Sequence, residues 1–225
     1  GKAHLWNVAT RQPIGEPLAH KPIEFVGFTP NGRLAITAGA DSEVRLWDSE
    51  SGRKVGAVPA PNSFCQSVAT SPDGRFILPG GFTSVIHLRS VLNGEVVGLP
   101  LQHQDAVRAV AFAPDGRTAL TGSLDATARR WHVPTGFAVG PLMRHTGKLR
   151  VVDFSLDGQL CATGGWDGTA SVWVARPPLE GEPTTIRRRT EMFSGLSLES
   201  DGSVRALSIQ AWREREVAFS GRFSR

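Results

Sequence analysis

"GSLDATARRW", residues 122–131, sets an aspartate, Asp125, six positions before a tryptophan, Trp131, in a turn followed by a strand-like run. The same step recurs at Asp41–Trp47 and Asp167–Trp173, and a histidine precedes each aspartate by 21 or 22 positions: His20, His103 and His145. Turn tetrapeptides fall between them: TPNG (29–32), SPDG (71–74), APDG (113–116) and SLDG (155–158). Their glycines, Gly32, Gly74, Gly116 and Gly158, lie 42 residues apart, and a weaker ESDG ends at Gly202, 44 further on. A fixed order of residue types at such a period marks a repeat architecture.

Within one unit, VRAVAFAPDG, RTALTGS, ATARRWHV and FAVGPLM read as short apolar runs bounded by Pro-Asp-Gly, Gly-Ser or Pro-Thr-Gly turns. Four strands per unit make a small antiparallel sheet with two apolar faces. Such a sheet must pack against its neighbours, and radial packing of blades gives an all-β propeller.

The segments TAGADSEVRLWD (37–48), TGSLDATARRWH (121–132) and TGGWDGTASVWV (163–174) resemble the WD-repeat family, although only Trp47–Asp48 keeps the full dipeptide. The resemblance covers residues 1–182. It implies a hydrogen-bonded structural network of His, Thr, Asp and Trp in each unit. The sets would be His20, Thr37, Asp41 and Trp47; His103, Thr121, Asp125 and Trp131; and His145, Thr163, Asp167 and Trp173. The competing reading, a Thr–His–Asp nucleophile relay, fits poorly with three copies in one small domain. In the second unit, alignment on Gly74 puts Asn62, Leu78, Phe82 and Leu88 at the four positions. Concerted replacement is expected of a structural network, because leaving one buried polar member unpartnered costs about 1–3 kcal/mol.

One propeller domain over 1–225 is expected, with a partial blade at 1–17, repeats at 18–58, 59–100, 101–142 and 143–182, and a degenerate hairpin and short helix over 183–225. KAHLWNV and QPIGEPL supply third and fourth strands at the start, so four full four-stranded blades and partial ones amount to about five. MFSGLSLESDGSVRALS (192–208) reads as a hairpin and SIQAWREREVAFSG as a helix. Two closures stand open: a five-bladed ring, or the C-terminal part of a larger propeller, which a start within a repeat favours. The tail resembles the end of WD-repeat regions of large bacterial signalling proteins, often with a Ser/Thr kinase domain upstream.

Composition narrows function. The 225 residues are 40% hydrophobic and 20% charged, and no run reaches the length of a membrane-spanning helix. Cys65 and Cys161 show no metal or redox spacing, and no glycine-rich phosphate loop or metal-spaced cluster is present. No catalytic residue, metal or cofactor is expected. A net charge of +4 and a pI near 9.7 invite a nucleic-acid reading, but only Arg187–Arg189 cluster and no stacking platform accompanies them. The expected function is a non-catalytic protein-interaction scaffold in a cytoplasmic signalling protein. The alternatives are nucleic-acid binding through Arg187–Arg189 or substrate docking for a Ser/Thr kinase. The family tends to recognise a protein or peptide partner on its rim, which implicates the inner-strand positions Glu24, Gln66, Arg108 and Arg150 and the pre-aspartate positions Leu124 and Trp166. Trp166 with Arg108 and Arg150 is the candidate hot spot; packing on a neighbouring blade is the alternative for Trp166.

Overall fold

The computed structural model describes residues 1–20, 22–60, 64–175, 196–198, 204–206, 208 and 210. The chain divides into two compact units, Gly1–Pro177 and Pro178–Arg225.

The first unit is a succession of antiparallel sheets, each in sequence order. Strand β1 (Lys2–Asn7) pairs with β2 (Gln12–Ala19). Three four-stranded sheets follow. The first contains β3 (Ile23–Phe28), β4 (Leu34–Gly39), β5 (Glu43–Asp48) and β6 (Lys54–Pro59). Next come β7 (Cys65–Thr70), β8 (Phe76–Gly81), β9 (Val85–Ser90) and β10 (Val96–Gln102). The third holds β11 (Val107–Phe112), β12 (Thr118–Ser123), β13 (Thr127–His132) and β14 (Ala138–Arg144). The last sheet has three strands among the described residues: β15 (Leu149–Phe154), β16 (Leu160–Gly165) and β17 (Ala170–Val174). In the second unit, β18 (Leu196–Leu198) pairs with β19 (Val204–Ala206). The helix expected over 208–221, the Arg187–Arg189 cluster and most of the 183–225 tail lie outside the described residues.

The architecture is an all-β propeller of repeated sheets. First strands are neighbours, β7 touching β3 and β11, and β11 touching β15. Period-2 alternation sends adjacent residues to opposite sides, so each gap between sheets has its own core. On β8, Ile77 joins the cluster shared with β3–β6, whereas Leu78 joins the one shared with β11–β14. On β12, Ala119 and Leu120 divide in the same way. At the two ends of this row the alternation leaves apolar side chains uncovered: Val26 and Phe28 on β3, and Val151, Val172 and Val174 on the last sheet.

Pairing register corrects the alignment of the second repeat, β7–β10. Val68 pairs with Pro79 and Ile77 with Arg89, as Val110 pairs with Thr121 and Ala119 with Trp131. Pro79, Thr83 and Arg89 therefore occupy the Thr, Asp and Trp positions, one residue beyond Leu78, Phe82 and Leu88. Asn62, aligned with the histidine, lies outside the described residues. Leu78 and Leu88 are core residues instead, 0% and 3% exposed. Phe82 is moved to the position held by Leu124 and Trp166. The network is thus exchanged for a proline, a threonine and an arginine, not for an apolar set.

Candidate functional site

The polar residues of the repeat come first, because they fix the turns that carry the rim. Trp131 Nε1 donates to Thr121 Oγ1 at 2.8 Å, and that hydroxyl lies 2.7 Å from His103 Nε2. His103 Nδ1 is 3.0 Å from Asp125 Oδ2. Counting hydrogens gives one direction that satisfies every member: indole to hydroxyl, hydroxyl to imidazole, imidazole to carboxylate. Asp125 also accepts from the amides of Gln104 and Thr127 and from the Thr127 hydroxyl. Burial works to raise the Asp125 pKa, but hydrogen bonds from Thr127, Gln104 and His103 outweigh it and hold it below the usual carboxylate value. Burial lowers the His103 pKa, against a smaller opposing pull from Asp125. Both directions favour a neutral imidazole beside a carboxylate.

The same chain recurs on either side. Trp47 donates to Thr37 at 2.9 Å, and His20 lies 2.8 Å from Thr37 and 2.6 Å from Asp41. There Arg45 also binds Asp41, at 2.6 Å, and reaches the Ala19 carbonyl. In the last sheet Trp173 and His145 both meet Thr163 at 2.7 Å, with His145 Nδ1 3.4 Å from Asp167. Asp167 accepts from Thr169, through amide and hydroxyl, and from Thr146 and Gly147; these bonds hold its pKa well down. Each histidine follows the outer strand of one sheet and bonds into the next, so each network joins two sheets. In sheet β7–β10 Thr83 turns to its own hairpin, bonding Val85, and Arg89 reaches the Gly94 carbonyl.

The rim is built by a second recurring device. The register of every inner strand slips at one residue: between Ile23 and Phe25, Cys65 and Ser67, Val107 and Ala109, and Leu149 and Val151. The skipped residues are Glu24, Gln66, Arg108 and Arg150. A bulge takes a residue out of the ladder and re-aims its side chain, so one side chain per sheet is freed at the same end of the molecule. The neighbouring backbone is tight: a Cβ on Gly81 would strike the Phe64 carbonyl, and one on Gly39 the Pro22 carbonyl. Ala40, Phe82, Leu124 and Trp166 begin the hairpin turns at that end.

The two rows meet between the second and third sheets. The Val107 amide donates to the Thr83 carbonyl at 2.8 Å, which seats β11 on the Phe82 turn. The Arg108 guanidinium then lies 4.4 Å over the Phe82 ring, within cation–π range. Phe64 meets Phe82 edge-on at 5.3 Å. Burial, and then the nearby Arg150 charge, lower the Arg108 pKa. Phe82 and Trp166 are 51% and 60% exposed, large values for aromatic side chains. The Trp166 amide donates to the Lys148 carbonyl, and its side chain is exposed on the last described sheet. Glu24 and Arg150 are exposed, while Gln66, Arg108 and Leu124 are half-buried. The Gln66 Oε1 atom is buried and has no hydrogen-bond partner. Sequence reasoning missed Phe82 as a rim residue; the 42-residue spacing from Leu124 contained the signal.

Among the described residues no group of His, Cys, Asp or Glu could hold a metal ion, and no helix is long and apolar enough to cross a membrane. Cys65 is buried, with its thiol pKa pushed up to about 12.

The family described as WD domain, G-beta repeat matches residues 11–48, 95–132 and 138–174, passing over the unit that lacks the network. Among solved structures, the crystal structure of RRP9 WD40 repeats is similar at 27% identity and a TM-score of 0.63, over 69% of this chain and 49% of that one. The structure of U3-55K is similar at 26% identity and a TM-score of 0.63, over 70% of this chain and 50% of that one. The chain thus spans about half the length of the structures it matches. No curated protein matches it.

Proposed function

Because the chain belongs to the WD-repeat family, with 38-, 38- and 37-residue matches along its 225 residues, we propose that it is a non-catalytic scaffold that binds a protein or peptide partner on its rim. The observation that carries this reading is the exposed aromatic turn residue Phe82 lying beneath the bulge residue Arg108, with Trp166 exposed at the corresponding turn of the last described sheet. Trp and Arg dominate interface energies because they desolvate a large area while keeping directional donors. The His–Thr–Asp sets are structural joints in this reading. Thr121 is 0% exposed and its oxygen already accepts the Trp131 indole, so a substrate has no route to it.

The resemblance of the tail supports a place in a larger, cytoplasmic signalling protein of bacterial type, alongside a kinase domain. The 1–17, 18–58, 59–100, 101–142 and 143–182 boundaries belong to the same reading, as blades of one propeller. Replacement of Trp166 by Ala tests the rim: partner capture is expected to weaken by about 2 kcal/mol with the melting temperature unchanged. A collapse of stability with capture intact would make Trp166 a packing residue and remove it from the rim.

A further inference from the structure

We infer, resting on the rim reading, that the arc formed by Phe82, Arg108, Leu124, Arg150 and Trp166 recognises an extended peptide segment in which carboxylate side chains alternate with apolar ones. The register makes this arc alternate. Hairpin-turn residues Phe82, Leu124 and Trp166 are apolar, and the bulge residues between them, Arg108 and Arg150, are cationic. The one pair seen in contact, Arg108 over Phe82, shows how the rows mesh: a turn residue of one sheet meets the bulge residue of the next. By the same 42-residue step Arg150 follows Leu124.

The charges at this arc are uncompensated. Arg45, on the first sheet, is occupied by Asp41, Glu43 and the Ala19 carbonyl. Neither Arg108 nor Arg150 has an ion pair or hydrogen bond among the described residues, and Asp105, in the loop before β11, bonds only the Ala106 amide through its carboxylate. Arg108 is half-buried, and burial first, then the Arg150 charge, disfavour its charged form, which an added anion relieves. A guanidinium offers a planar fork that matches a carboxylate in two parallel hydrogen bonds. Phe82 and Trp166, more than half exposed, give apolar side chains of the same segment a surface to cover. Position along the arc sets direction: Glu24 occupies the first bulge and Gln66 the second, so acidic groups are favoured over the third and fourth sheets and disfavoured over the first. That polarity also argues against a nucleic-acid strand, whose affinity depends on many evenly spaced phosphate contacts.

Selection of a random peptide library displayed on phage against the whole 225-residue chain tests this. Enriched peptides are expected to carry Asp or Glu beside Phe, Leu or Trp. A synthetic copy of one, followed by fluorescence anisotropy, should bind Arg108→Gln and Arg150→Gln about tenfold or more weakly, with melting temperatures unchanged and a further loss as salt is raised. If enriched peptides are neutral or basic and lose binding in Trp166→Ala but not in the arginine variants, the rim reading stands and the acidic class is overturned. If no peptide is enriched, or the enriched ones bind all three variants like the parent chain, both readings are overturned. A mixed-sequence single-stranded oligonucleotide that binds more tightly than the peptide and displaces it would overturn the proposal in favour of nucleic acid.

Discussion

Sheets β7–β10 and β11–β14 stand side by side with the same strand order, the same turn glycines and the same inner-strand bulge, yet only the second carries the His–Thr–Asp–Trp network. The difference teaches what the network is for. Both sheets bury their central strands, β8 from Ile77 to Gly81 and β12 throughout. A blade therefore forms on alternation and turn chemistry alone. What β11–β14 gains is a polar joint to the preceding outer strand, through His103, and a carboxylate that organises its hairpin turn. In β7–β10 the turn is closed locally by the Thr83 hydroxyl, and Pro79 replaces the threonine that would otherwise need a partner. Polar members that act together are retained together or exchanged together, since a half-satisfied buried set is worse than none.

The comparison can be broken most directly at the two equivalent turn positions. Asp125→Ala strips the acceptor from His103, the Gln104 amide and Thr127 and should destabilise by about 2–3 kcal/mol, read as a fall in the denaturant midpoint. Thr83→Ala, at the same place in the neighbouring sheet, should cost about 0.5–1 kcal/mol. Equal losses would mean that the network is not the joint described here.

Acid gives a smaller effect with a defined sign. The folded pKa of His103 is depressed below its ordinary 6.5, so the stability it brings is complete above 6.5 and is lost as pH falls from there through the folded value. Asp125 is depressed below 3.8, so its share is lost only below 3.8. The melting temperature should therefore decline in two steps. His87, on β9, is also depressed, by burial and then by Arg89, but it is partly exposed and its share is smaller. His103→Gln should flatten the first step, while His87→Gln should leave most of it. The reverse result would place the acid-sensitive joint in the wrong sheet.

The smallest effect lies next to Asp125. Ala126 has a φ of 64°, where glycine is preferred, and Gly168 occupies the corresponding place in the last sheet. Ala126→Gly should stabilise by about 0.4–1 kcal/mol. Ser84, the equivalent in β8–β9, is not in that region, so Ser84→Gly should bring no gain in the same melting assay.

Much of the fold was legible because two periods are written into the chain: 42 residues between turn glycines and two between core side chains. The partners of His20, His103 and His145 were legible for the same reason, since a joint that recurs leaves its residue types at fixed offsets. The second unit was read one residue out of step. With the marker residues gone, Leu78 and Leu88 imitated an apolar exchange, although Pro79 stands five residues after Gly74 as Thr37 and Thr121 stand after Gly32 and Gly116; the strand register, Ile77 opposite Arg89, sets the same count. The bulges were not legible at all. An extra residue in one strand is a relation between two strands, and nothing in Arg108 or Arg150 announces that its neighbours pair around it. Phe82 followed from the same slip: read at the aspartate position it was a replaced joint residue, whereas in register it is an exposed aromatic beneath Arg108.

The bulge at the head of each inner strand separates what the rim says from what the core requires. Glu24, Gln66, Arg108 and Arg150 are each bracketed by paired residues that lock the sheet, while they themselves are exempt from the ladder. An acid, an amide and two bases thus occupy one geometric slot without disturbing the strands around them. A surface organised in this way can be rewritten sheet by sheet, and a designer wishing to redirect this molecule would have four addressable positions in which to set a new charge sequence.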